Sequence, residues 1–160
     1  MLKEKIQKDL NEAVKKKEEL QSSVLRMLLA AILNKEKEKR YKSGEEKEIQ
    51  LTEEEIIEVI SSEAKKRKEA ILEFEKGGRE NLVVKEKKEL EILQEYLPEQ
   101  LSEDEIKKLT KEVVKEVGAS EPKDMGKVMS ELMPQLKGRA DGSAVSKIVK
   151  ELLTPKNDQL

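Results

Sequence analysis

The chain has 160 residues, with 33 Lys and Arg against 35 Asp and Glu, a net charge of −2, and 2% aromatic residues. It contains no histidine and no cysteine, which excludes catalytic triads of the usual kind, thiol nucleophiles, disulfides, and ordinary zinc, haem and iron–sulfur sites. A charged fraction of 42% with nearly balanced sign, beside 36% apolar residues, points to a folded, mostly helical protein and not to a self-repelling coil.

Leu2, Ile6, Leu10, Ala13, Val14 and Leu20 recur on one helical face and predict a first, surface helix. Ser22 and Ser23 suit an N-cap for a second helix that continues through Leu33 and is apolar around more than half its circumference, so it is expected to be the most buried. The charged stretch 35–48, broken at Ser43 and Gly44, reads as a solvated helical extension followed by a mobile loop. A third helix opens with the capping-box residues Thr52 and Glu55, carries Ile56, Ile60, Ala64, Ile71 and Phe74 on its apolar face, and closes at Gly77 and Gly78. A fourth, from about Glu80 to Leu97, presents Leu82, Leu90, Leu93, Tyr96 and Leu97 and stops at Pro98. Short connections and one long charged loop make residues 1–97 a four-helix bundle.

Residues 98–160 read as a small three-helix domain that opens with a hinge at residues 98–101. Its first helix starts at a second capping box, Ser102 with Glu105, carries Ile106, Leu109, Val113 and Val117, and ends at Gly118. The next lies between Pro122 and about Leu136, interrupted at Gly126 and Pro134. The last follows Asp141 as cap and turns Val145, Ile148, Val149 and Leu152 inward. Such a unit is marginal by itself and is expected to rest on the bundle. The fold class is all-α.

Three constellations bear on function. Arg67 falls at the centre of the apolar arc of the third helix and needs a partner there. Glu86, on the same arc of the fourth helix as Leu82, Leu90 and Leu93, is the candidate for a structural ion pair that sets the bundle register. The neighbouring Lys65, Lys66 and Lys68 step 100° per residue and read as solvated face.

The stretch 137–143 combines Lys137 and Arg139 with Gly138, Asp141 and Gly142 ahead of a helix N-terminus, a candidate phosphate cradle in which the Asp141 cap competes for the same donors. Residues 123–150 hold six basic and three acidic side chains, a local +3 in a net acidic chain. The simpler reading is a tight interhelical turn shaped by its glycines. Met125, Met129 and Met133 recur every fourth residue, as core or as a docking stripe. With three aromatic rings, Tyr41, Phe74 and Tyr96, there is no platform for stacking bases, so any RNA recognition would be by shape and backbone charge. No Walker loop, dinucleotide fingerprint or EF-hand loop is present, and no metal or cofactor is expected.

Several segments together resemble the YqeY-like proteins: Arg26 to Ala31, Arg67 to Ile71 and on through Phe74 to Arg79, Tyr96 to Ser102, Asp124 to Met129, and Lys137 to Gly142. The resemblance covers nearly the whole chain in order. It implies an N-terminal helical bundle followed by a three-helix domain similar to the C-terminal tail of the B subunit of the tRNA-dependent amidotransferase. That tail helps to hold the tRNA body, while glutaminase and kinase chemistry reside elsewhere. The family label of a carbon–nitrogen ligase with glutamine as amido-nitrogen donor therefore describes the relative.

For this chain the resemblance implies Lys127, Lys137, Arg139 and Lys147 as candidate RNA contacts. The resulting expectation is a non-catalytic module that binds tRNA or another structured RNA, or assists an amidotransferase-type complex. The alternative is a protein–protein adaptor docking through the methionines. The start of the chain lacks the apolar region of a signal peptide, and the longest apolar run, residues 27–33, is far short of the roughly 20 needed to span a bilayer. A cytoplasmic location with no membrane partner is expected from these features.

Overall fold

The computed structural model describes residues 1–155, and all regular structure among them is helical. The helices are α1 (Leu2–Lys15), α2 (Glu19–Ser43), α3 (Glu53–Lys76), α4 (Glu80–Gln94), α5 (Glu103–Val117), α6 (Met125–Leu136) and α7 (Gly142–Leu153), with one 3-10 turn at Pro122–Asp124. The chain divides into two compact units, Met1–Pro98 and a second beginning at Glu99.

In the first unit α1 packs on α2 and α3 on α4, and α2 also meets α3 and α4. Ile6, Leu25, Leu28, Ile32, Ile60 and Leu93 are fully buried between them. The capping box of α3 is formed: Glu55 N–H donates to Thr52 Oγ1 (3.2 Å) and Thr52 N–H to Glu55 Oε2 (2.8 Å). Gly44, in the left-handed region at φ 69°, ends α2 where the sequence marks a break, and the charged run before it is helix up to Ser43.

The junction of the first two helices differs from the sequence expectation. α1 stops at Lys15, and the turn is made by Lys17, a residue with a side chain in the left-handed region (φ 59°). Lys17 and its neighbour close the helix end, with Glu18 N–H donating to the Ala13 carbonyl (2.9 Å) and Lys17 N–H to the Val14 carbonyl (3.2 Å). Ser22 caps nothing: it lies in the first turn of α2, its hydroxyl donating back to the Glu18 carbonyl (2.7 Å). Val14 accordingly points outward and is 46% exposed.

A second departure is Glu36, which sits in the charged run yet is buried. Both of its carboxylate oxygens accept from Lys3 Nζ at 2.8 Å, and Oε1 also accepts from Leu51 N–H at 3.3 Å. One acid thereby ties the start of α1 and the end of the 44–52 loop to α2. Tyr96, also buried, donates from its hydroxyl to Asp9 Oδ2 (2.6 Å), and Lys5 lies over its ring. Burial, then the Asp9 carboxylate, push the phenol well above its ordinary range.

In the second unit α5, α6 and α7 all pack on one another around Val128, Leu132, Leu136, Val145 and Val149. Ser102 and Glu105 form the second capping box, and Gly118 ends α5 at φ 66°. α6 runs through Gly126 and Pro134 without the interruption the sequence suggests. Gly126 lies in the first turn, and Pro134 comes two residues before the end, where its missing N–H removes a single ladder bond. Leu153, not Leu152, faces inward at the end of α7. Thr110 is fully buried in α5 because its hydroxyl donates to the Ile106 carbonyl (2.7 Å).

Candidate functional site

The turn between α6 and α7 is built from the end of one helix and the start of the next. Arg139 N–H (2.9 Å) and Ala140 N–H (3.1 Å) both donate to the Leu136 carbonyl, closing the α6 terminus, and Gly138 supplies the left-handed conformation at φ 75°. Asp141 caps α7, its Oδ1 accepting from Ser143 N–H at 3.2 Å. One donor of the proposed cradle is thus already engaged by the cap. Lys137 is exposed, while Gly138, Arg139, Asp141 and Gly142 are half-buried.

The chain just before α5 lies against this turn. Gln100 Nε2 donates to the Gly138 carbonyl (2.7 Å), Leu101 N–H to the Arg139 carbonyl (2.9 Å), and Arg139 Nε to the Glu99 carbonyl (3.4 Å). Nothing in the local sequence pattern signals these contacts, since they join residues 38 to 40 positions apart.

The four candidate cations are not one cluster. Lys137 and Arg139 share the turn, and Lys147 is exposed one and a half turns into α7. Lys127 lies in the first turn of α6, ten residues and so about 15 Å of helix axis from Lys137. Its charge instead acts on Asp124, whose carboxyl is held below its usual value first by the backbone N–H groups of Ser120 and Glu121, with Lys127 and Lys123 adding to them. Met125, Met129 and Met133 are half-buried against the core of the unit, the packing reading of their spacing.

In the first unit Arg67 Nε stands 3.5 Å from Glu86 Oε2 and 2.8 Å from Glu89 Oε2. The structure therefore brings Arg67 and Glu86 together and adds Glu89, which the sequence reading missed although it lies one helical turn beyond Glu86. Lys66 pairs with the buried Glu63 at 2.8 Å. An open groove of about 860 Å³ between α2 and α3 is lined by Lys35, Lys39, Lys42 and Lys66 and by Glu38, Glu55, Glu58 and Glu63, so its charges cancel. Lys39 bridges it to Glu55 (2.6 Å) and, through that bond first and the Thr52 amide second, holds the Glu55 carboxyl below its ordinary value. Among the described residues no helix is long and apolar enough to cross a membrane, and no group of three or more acidic side chains could hold a metal ion.

Comparison with known proteins adds a family. The model described as Yqey-like protein matches residues 3–153. Curated relatives named "Altered inheritance of mitochondria protein 41, mitochondrial" are similar over part of the chain. That from Saccharomyces cerevisiae (strain YJM789) is 33% identical over 89 residues, 56% of this chain and 44% of the relative. That from Lachancea thermotolerans is 35% identical over 92 residues, 58% and 46%. The match therefore spans less than half the length of these relatives. Neither the family description nor the relatives' name indicates a catalytic activity.

The relatives overturn the cytoplasmic expectation, because each is named as a mitochondrial protein. The physical reason is plain. A helical unit with a charged surface has the same sequence features in any aqueous compartment, and the composition of the folded part carries no address.

Proposed function

Since the chain belongs to the Yqey-like family, we propose that it is a non-catalytic module whose second unit binds the sugar–phosphate backbone of tRNA or another structured RNA, by itself or within an amidotransferase-type complex. The observation that carries this reading is the turn 137–142. It places exposed Lys137 and half-buried Arg139 on a bend held by hydrogen bonds from both sides, in a segment of local positive charge. Contacts of this kind position a nucleic acid through its phosphates and read no bases, which agrees with a chain so poor in aromatic rings.

Titration of labelled bulk tRNA with the purified chain at about 50 and 200 mM salt tests the proposal, because phosphate contacts release counterions and apolar docking does not. Micromolar binding that weakens steeply with salt supports it. No binding at the lower salt overturns it.

A further inference from the structure

Gly138 adopts the left-handed conformation (φ 75°) within a turn closed on the Leu136 carbonyl, and its own carbonyl takes its partner from outside that turn. Gln100 is that partner, at 2.7 Å, and the adjacent Leu101 N–H fixes the next carbonyl, that of Arg139, at 2.9 Å. Both carbonyls of the bend are therefore drawn toward residues 99–101. The same segment takes the Nε of Arg139 through the Glu99 carbonyl. The two terminal guanidinium nitrogens then have no partner among the described residues. That forked edge is the part of an arginine that matches two oxygens of a phosphate.

We infer that Gln100 is a positioning residue for the candidate interface: its amide holds the Gly138–Arg139 bend so that Arg139 presents its terminal nitrogens to one phosphodiester group of the RNA backbone. The inference rests on the RNA-binding reading and deepens it, naming the ligand group at Arg139 and the side chain that orients it. Asp141 is the acid closest in sequence to this edge, and one of its oxygens is engaged by Ser143 N–H.

The test uses the full chain and three variants, Gln100→Ala, Arg139→Ala and the double substitution. Amide exchange at Leu101, followed by NMR, reads the clasp without any RNA, and protection across α5 and α7 confirms that the unit is folded. Gln100→Ala is expected to leave that protection intact, to speed Leu101 exchange about tenfold, and to weaken tRNA binding by about two- to tenfold, the worth of one hydrogen bond. Gln100→Glu, which replaces the donor by an acceptor of the same size, gives the same gain in exchange. The double variant binds no more weakly than Arg139→Ala, because Gln100 acts through Arg139.

Unchanged exchange at Leu101 in both Gln100 variants overturns the clasp. Losses that multiply in the double variant overturn the positioning role. A wild-type chain that exchanges Leu101 slowly yet fails to bind tRNA overturns the RNA-binding reading and leaves the clasp standing as measured.

Discussion

Arg67 of α3 and Glu89 of α4 meet at 2.8 Å, with each side chain only 14% exposed. Glu86 Oε2 lies 3.5 Å from the same guanidinium nitrogen, and a terminal nitrogen of Arg67 lies 2.8 Å from Met27 Sδ on α2. Three helices therefore converge on one cation in a place of low solvent access. Arg67 Nε and Glu86 Oε2 are buried without an aligned hydrogen bond, so attraction between charges, more than hydrogen bonding, holds the group together. Two carboxylates one turn apart on α4 accept a cation at only one height of α3, which is the geometry a register device requires.

Removing the cation leaves two carboxylates together in a poorly solvated site. Arg67→Ala is expected to destabilise the first unit by about 3 kcal/mol, the usual consequence of breaking a buried pair from one side. Adding Glu89→Gln to that variant should recover part of the loss. Urea denaturation followed by circular dichroism measures both, and a loss below about 0.5 kcal/mol for Arg67→Ala, as for exposed pairs, would refute the role.

Lys17 occupies the left-handed region at φ 59° with no glycine to relieve it. A side chain there costs about 1 kcal/mol relative to glycine. Lys17→Gly should therefore raise stability, by roughly 0.5 to 1 kcal/mol after the extra chain entropy of glycine in the unfolded state is deducted. A thermal melt of the variant at matched pH and salt checks the sign.

This junction also shows why parts of the fold were legible in the sequence and parts were not. Thr52, Ser102, Gly44 and Gly118 mark helix ends by local chemistry that any reader of the sequence can see, and the structure uses all four. Lys17 carries no such mark, because Leu20 continues the apolar period of α1 past the true break. Glu36 is hidden for a different reason: in a run of alternating charges only tertiary packing decides which acid is turned inward. Arg67 was visible because it interrupts an apolar arc, and Glu86 because it interrupts the facing one. The Gln100 contact to Gly138 joins two segments whose only sequence relation is that both belong to the family pattern.

Glu36 gives a prediction of its own. Replacing it by Ala removes the acceptor of the buried Leu51 N–H and the partner of Lys3. The unsatisfied amide alone should cost about 1 to 3 kcal/mol. Amide exchange at Leu51 is expected to quicken more than exchange in the middle of α3, since the 44–52 loop loses its tie to α2 before the bundle opens.

Tyr96 gives a prediction for alkaline pH. Its folded-state pKa is raised, by burial first and then by Asp9, so the folded chain keeps a proton that the unfolded chain gives up near pH 10. The sign follows from linkage: this contribution is fully present below the unfolded value and is lost as pH rises toward the folded one, by about 1.4 kcal/mol per pH unit within that window. Tyr96→Phe should cost about 1 kcal/mol at neutral pH through the lost bond to Asp9. The same variant should flatten the decline in stability above pH 10, and equal slopes for the two proteins would show that another group governs alkaline unfolding.

The separation of the candidate cations yields the sharpest test of the interface. Lys137 and Arg139 share one bend, whereas Lys127 stands about 15 Å of helix axis away beside Asp124. Lys137→Ala with Arg139→Ala should weaken tRNA binding by about 1 to 3 kcal/mol and make its dependence on salt shallower by roughly two phosphate contacts, with the melting temperature of the chain nearly unchanged. Lys127→Ala should change affinity by less, because part of its field is already spent on Asp124 and it lies outside the bend. If Lys127→Ala weakened binding as much as the double substitution, the RNA would have to lie along α6 instead of across the turn, and the site would have to be redrawn around the helix surface.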